Sequence, residues 1–269
     1  MGGRGANLGR GRGGGLGGLG FGGAAASAAT QQPQQPQQQP PQQGATTPAG
    51  NTSLAQFQQM NDQQTVAYLN GLKNNVHMPP SAELPDSDTQ RAFYDLGVND
   101  KPRVVSDAQF KAMRGETLYR GVTENTDNNG TVMATAKSIA NSTMYGEYSR
   151  IGGGVYGDGY YFSNSKSLAN SYAGHKGSTA KSAVMRTKLD TSKVKAIDSN
   201  TLESRFYRES RAVQRAYQNM SETGNWAAGH LGVYALQKGY NAIKVPSRGI
   251  TVVLDRGIMV MSDNVTASV

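Results

Sequence analysis

The sequence predicts an α+β protein in which helices come first and a strand-rich part follows. Between residues 53 and 113, apolar side chains recur at helical spacing behind Ser and Asp cap residues. From Leu118 onward, short runs rich in Val, Ile, Tyr and Met are separated by Gly, Asn and Asp turns. Residues 1–50 stand apart: they hold 15 of the 34 glycines and a Gln/Pro run, a composition that buries too little apolar surface to offset backbone entropy. The expected organisation is a disordered tail over 1–50, a helical part over 51–115 and the main core over 116–265.

Ser53 is placed to cap a first helix carrying Leu54, Phe57 and Met60. Thr65, Tyr68, Leu69 and Leu72 continue the helical spacing until Pro79-Pro80 stops it. Ser87 and Asp88 precede a helix with Phe93 and Leu96. Ser106 and Asp107 precede another with Phe110 and Met113, ended by Gly115. Residues 118–122 (LYRGV) read as a strand with a charge where an apolar residue is expected. Asp-Asn-Asn-Gly at 127–130 is a turn, and a helix is predicted over about 135–148, interrupted by Gly146.

The central stretch, 152–172, reads GGGVYGDGYYFSNSKSLANSY. Its glycines let backbone approach a ligand, and Tyr160, Tyr161 and Phe162 form an aromatic strand. Ser163-Asn164-Ser165 then offers an N-cap to a helix carrying Leu168, Ala169 and Tyr172. A strand that ends in hydroxyls and feeds a helix points free N–H groups at whatever lies above it, and a phosphate fits there. Residues 182–189 alternate as a strand, and 194–197 form a short one. Ser199 or Thr201 caps a helix running through Arg205, Val213 and Tyr217. A last helix over about 226–238 ends at Gly239, and strands at 241–245, 250–254 and 258–261 close the chain.

Composition excludes several function classes. With no cysteine there is no disulfide, thiolate metal site or cysteine nucleophile. His77, His175 and His230 are scattered, so no metal site is expected. The net charge of +8 comes with no dense basic run in the core, and the GRGRGGG run at 9–15 supports only weak nucleic-acid contact. No apolar run approaches the roughly 18 residues of a membrane span, and the alanine run at 24–29 is too short for a signal segment. A cytoplasmic setting is expected.

LYRG at 118–121, YGDGYYFSNSKSLANSYA at 156–173, GYNAIKV at 239–245 and ITVVLDRGIMV at 250–260 stand in a telling order. An arginine strand comes first, then a glycine–aromatic–serine strand into a helix, then late hairpin strands. Over roughly 100–261 the chain resembles the mono-ADP-ribosyltransferase family. The central stretch also resembles the glycine–tyrosine–phenylalanine segment of poly(ADP-ribose) polymerases. Arg120 stands where that branch has histidine, so the arginine/serine/glutamate branch is the closer match.

The resemblance implies a split antiparallel or mixed sheet, NAD as co-substrate, and transfer of ADP-ribose to a side chain of an unidentified protein target with release of nicotinamide. It implies that Arg120 binds NAD through a phosphate oxygen or braces the ribose. Gly121, Gly159 and Tyr160 belong to the implied binding surface, with Gly121 letting the dinucleotide lie against its strand. One of Ser163 and Ser165 steadies the nicotinamide ribose or the Arg120 head, and Tyr161 and Tyr172 flank the nicotinamide ring. Catalytic roles fall to Arg120, Tyr161 and Ser163. Each residue also has a plain structural reading: a strand-end arginine in an ion pair, helix caps, core aromatics.

Cleavage of the nicotinamide–ribose bond passes through an oxocarbenium-like state, so positioning and a well-placed carboxylate do most of the work. The family's late glutamate, however, falls on Ile250 or its neighbours Gly249 and Thr251, none acidic. Asp255 lies at the far end of that strand. Glu203, Glu222, Glu147 and Asp158 are further candidates, and Glu209 is taken as the catalytic acid. A signal-free Gly/Gln/Pro tail is more like that of a phage-encoded effector than a secreted toxin. The missing glutamate supports a second reading: a catalytically degenerate NAD-cleft protein with a binding or virion-associated structural role.

Overall fold

Helix starts in this chain are set by local side-chain chemistry. The Ser53 hydroxyl accepts from the Gln56 N–H while the Gln56 side chain accepts from that of Ser53, a capping box that opens α1 (Leu54–Gln58). Asn61 and Gln64 make the same reciprocal pair at the head of α2 (Asp62–Asn75), a start that the sequence reading did not single out. α3 (Asp88–Asp95) follows, then β1 (Arg103–Val105), then α4 (Asp107–Ala112) behind a second capping box between Ser106 and Gln109. β1 was not anticipated: three residues show no period, and only pairing with a distant strand makes them extended.

The computed structural model describes residues 52–75, 88–98, 100–126, 131–146, 149, 151–152, 154–174, 181–220 and 229–268. The predicted tail, the Pro79-Pro80 stop and the 127–130 turn lie outside the described residues. The remaining elements are β2 (Leu118–Thr123), β3 (Asn125–Thr126), β4 (Val132–Ala134), α5 (Ala136–Tyr145), β5 (Tyr160–Ser163), α6 (Lys166–Gly174), β6 (Ser182–Leu189) and β7 (Ala196–Asp198). Then come α7 (Ser199–Phe206), α8 (Arg211–Gln218), α9 (Leu231–Gln237), β8 (Ala242–Val245), β9 (Ile250–Val253), β10 (Met259–Ser262) and β11 (Thr266–Ser268).

One predicted helix is two. Asp198, rather than Ser199 or Thr201, caps α7 by accepting from the Asn200 and Thr201 N–H groups. The chain turns at 207–210, and Ser210 caps α8 through the Val213 N–H. Residue-type spacing runs through this break because Phe206, Val213 and Tyr217 all reach the same core.

The described fold is α+β with a mixed sheet in the order β1-β10-β6-β2-β5-β9-β8-β7, β11 also pairing with β6. β1–β10 and β7–β8 are parallel; the other pairings are antiparallel. β2 pairs with β6 along its whole length, from Leu118↔Thr187 to Thr123↔Ser182. β5 pairs with β9 from Tyr160↔Val253 to Ser163↔Ile250. Between β2 and β5 the register holds only one pair, Tyr119↔Ser163. The sheet therefore opens at its middle, between two well-zipped halves.

α9 anchors the core, with every residue from Leu231 to Gln237 buried. The Tyr234 ring stands edge-on to Phe206 (5.2 Å) and Tyr217 (5.5 Å). Burying aromatics of this size stabilises by about 1.5–3 kcal/mol each. Two buried polar side chains in this layer satisfy each other: the Tyr217 hydroxyl donates to Gln237 Oε1 (2.7 Å), and Gln237 Nε2 donates to Thr65 Oγ1 (2.6 Å), tying α8 and α9 to α2.

Candidate functional site

The opening between β2 and β5 becomes a cleft because of what each strand presents there. Along β2, Tyr119, Gly121 and Thr123 share one face by the two-residue period. α6 lies on that face: the Thr123 hydroxyl bonds to the Ala173 carbonyl, and a Cβ on Gly121 would stand 2.0 Å from the Ala169 oxygen. Gly121 is thus required by the helix, a different reason from the ligand contact that the resemblance implied. Its backbone nevertheless lines the cleft.

Arg120 projects from the other face. Its guanidinium carbon lies 5.4 Å from the centre of the Tyr160 ring, and Nη1 is buried with no hydrogen-bond partner. Burial pulls the Arg120 pKa down, with Tyr160 acting in the opposite direction. No carboxylate pairs with Arg120 among the described residues. A buried cationic donor without a partner costs free energy, so this side chain is poised for an acceptor that the described residues do not supply.

The other wall is the glycine-rich loop. Gly152 and Gly159 exchange backbone hydrogen bonds of 2.9 Å, closing 152–159 into a narrow loop. The Tyr161 hydroxyl reaches under it, donating to the Gly157 carbonyl (2.6 Å) and accepting from the Tyr156 N–H (3.1 Å). Gly154 makes room for that hydroxyl, since a Cβ there would fall 2.2 Å from it. Gly157 has φ +107°, and a Cβ would meet the Gly232 nitrogen at 2.7 Å. From below, the fully buried Arg256 donates through Nη1 to the Thr143 and Gly146 carbonyls (3.2 and 3.1 Å), holding the end of α5 that leads into the loop. The sequence reading missed Arg256; a lone arginine in ITVVLDRG carries no local signal for burial.

The cavity so formed has a volume of about 310 Å³ and is lined by Arg120, Gly121, Gly154, Tyr161, Ser163, Tyr172 and Ile250 among others. Of the residues singled out in sequence, Arg120, Gly121, Tyr161, Ser163 and Tyr172 are brought together here. Tyr172 is 59% exposed at the rim, while Tyr161 is half-buried.

The two candidate serines divide their roles. Ser163 is on the cavity wall, its Oγ accepting the Ser165 N–H (3.0 Å) and keeping its own proton free to donate. Ser165 caps α6 through the Leu168 N–H (3.2 Å) and is not part of the lining.

Gly159, Tyr160 and Glu209 are also not part of the lining. Gly159 packs against β9, where a Cβ would strike Val252 at 2.6 Å. Tyr160 is a core residue that donates to the Ser149 carbonyl (2.9 Å) and supports Arg120 from beneath. Glu209, after α7, accepts from the Tyr234 hydroxyl (2.7 Å) and pairs with Lys238 (2.8 Å).

Of the three positions, Gly249, Ile250 and Thr251, on which the resemblance would put the family's glutamate, Ile250 pairs with Ser163 across β5–β9 and lines the cavity. No carboxylate lines the cavity among the described residues. Asp255 caps a 3-10 turn through the Gly257 N–H (2.8 Å), and burial raises its pKa. Asp158 is engaged with Thr89 and the Gly154 backbone, its pKa also raised by burial. Glu203 is exposed on α7, and Glu147 and Glu222 lie outside the described residues.

Chemically, the site offers aromatic and glycine surfaces, one buried cation and one hydroxyl donor. It suits a planar, partly apolar ligand that carries an anion. No family model, curated protein or solved structure matches this chain. Among the described residues no helix is long and apolar enough to cross a membrane, and no cluster of three His, Asp or Glu residues is arranged to hold a metal ion.

Proposed function

We propose that the cleft binds NAD and that the protein is a mono-ADP-ribosyltransferase, transferring ADP-ribose to a protein side chain. The observation that carries this reading is Arg120: a half-buried side chain whose buried Nη1 is unpaired among the described residues, lining the same cavity as Ser163, Tyr161 and Tyr172. The residues fit the group. Arg120 would hold a phosphate oxygen by a charge-assisted hydrogen bond, Ser163 would donate to a ribose hydroxyl, and the Tyr161 and Tyr172 faces would take the nicotinamide. Gly121 and Gly154 let their backbones form the walls. A cavity of about 310 Å³ is at the lower end of the roughly 300–1,000 Å³ of small-molecule sites, so it suits one half of a dinucleotide. NAD would bring a ribosyl carbon with a good leaving group, and the chain's residues would orient that bond and keep water from its inner face.

Ile250 favours a second reading, in which the cleft binds NAD without turning it over, in a binding or virion-associated structural role. An apolar residue opposite Ser163 leaves developing positive charge on the ribose without a facing carboxylate. Phage origin, a cytoplasmic setting and weak nucleic-acid contact by the Arg/Gly tail complete the proposal.

The test is incubation with labelled NAD and a crude lysate, beside Arg120→Ala, with calorimetry of NAD binding. Label on protein that is lost in the variant supports transfer. NAD binding without label or nicotinamide release supports the second reading. No NAD binding overturns both.

A further inference from the structure

We propose that a second cavity, which shares Tyr119 with the cleft, is a phosphate subsite. This goes beyond the NAD reading and does not require it. The cavity, of about 200 Å³, lies between α4, β6 and the start of α6, and its wall includes Asp107, Lys111, Tyr119, Lys166 and Arg186. Tyr119 lines both cavities. So does one side of α6: Lys166 borders the second cavity, while Ala169 and Tyr172, three and six residues on, border the cleft.

The charges do not balance. Asp107 takes a hydrogen bond from Arg186 and an ion pair with Lys111 (2.8 Å), and these partners hold its pKa down at about 2. Lys166 has no ion-pair partner among the described residues, so three cations face one carboxylate. Arg186 is held in place by Asp107, by Ser262 Oγ (3.1 Å) and by the Phe110 ring (5.5 Å), yet its Nε is buried without a partner. A concave surface with surplus positive charge concentrates anions. Lys166, Arg186 and Tyr119, from α6, β6 and β2, are hydrogen-bond donor residues in the wall of one space. Groups that come from separate elements suit a doubly charged tetrahedral oxyanion better than a planar carboxylate, which is best taken by a single bidentate fork; Asp107 already takes one Arg186 N–H, at Nη2.

The phosphate has two sources: the tail of a ligand whose ring lies in the cleft, or a separate phosphorylated group. Inorganic phosphate is the probe, titrated calorimetrically into the full chain at constant ionic strength with chloride as balance. Saturable binding is expected. Lys166→Glu, at an exposed position, should weaken it by about tenfold or more. Asp107→Asn, which removes the competing carboxylate, should tighten it. Arg120→Met should leave it unchanged.

Opposite signs from Lys166 and Asp107 would not arise from a general loss of stability. If phosphate fails to saturate, or if it is lost in Arg120→Met and kept in Lys166→Glu, the proposal falls. Repeating the titration with NAD identifies the source. Competition means that one ligand spans Tyr119, and independent binding means a separate phosphorylated group. Phosphate binding without NAD binding overturns the NAD reading and leaves this subsite standing.

Discussion

Replacing Arg120 by methionine should leave the protein about as stable as before or more so, while abolishing binding in the cleft. Methionine keeps most of the length and apolar stem of the side chain and removes the guanidinium. What is lost is the contact with the Tyr160 ring at 5.4 Å, about 0.5–2 kcal/mol for a cation over an aromatic face. What is relieved is a buried N–H with no acceptor, a penalty of about 1–3 kcal/mol and larger for charged groups. The balance runs from a loss of about 1 to a gain of about 2.5 kcal/mol and is centred on a small gain, about 2–4 °C in Tm per kcal/mol for a folded unit of this size. Urea unfolding at equal m-value gives the stability, and calorimetry with NAD gives the binding. A destabilisation above about 1 kcal/mol would mean that the fold itself depends on the guanidinium. Unchanged NAD affinity would mean that Arg120 is not the anion contact. Either result refutes the reasoning.

Gly121→Ala should cost about 2–3 kcal/mol, because its Cβ would stand 2.0 Å from the Ala169 carbonyl oxygen and 2.8 Å from the Ala173 Cβ, in a helix with no flexible end to yield. Thermal unfolding beside Gly152→Ala, whose Cβ would meet only Gly159 O at 3.4 Å, checks it, and equal losses would refute it. Tyr161→Phe keeps the ring but unties the glycine loop. Hydrogen exchange at Tyr156 should speed up by about fivefold, corresponding to one net hydrogen bond of about 1 kcal/mol, and no change would show that the loop is held otherwise. His230, buried against the Phe206 ring at 4.6 Å, has its pKa lowered by burial to about 4. Its neutral form is the folded one, so stability should be full above about pH 6.5 and fall as pH drops toward 4, by at most about 3 kcal/mol. His230→Phe should flatten that part of the urea-midpoint profile, and an unchanged slope would assign the loss to other groups.

Local rules were enough for much of this chain. Ser53, Ser106 and Ser165 were legible as caps because a hydroxyl serves the nearest orphan N–H groups whatever the rest of the fold does. β6 was legible because two-residue alternation over its length marks a strand by itself. The same rules failed at Asp198, where an acid at the end of β7 outcompeted the serine and threonine after it. They failed again at β1, which exists only because β10 lies beside it.

The sequence alone determined the α+β class, the helix starts at Ser53, Ser106 and Ser165, the strand carrying Arg120 and the glycine–aromatic–serine stretch, since each depends on neighbours within a few residues. Only the tertiary structure decided that β2 and β5 part after a single pair, that Arg120 is buried there without an acceptor, and that Ile250 faces Ser163 where an acid was sought. It also decided that Gly121 serves a helix and that Glu209 serves Tyr234 and Lys238. These outcomes depend on residues 25 to 130 positions apart packing against one another, and a pattern confined to one stretch of chain carries no record of which distant atom will fill the space beside it.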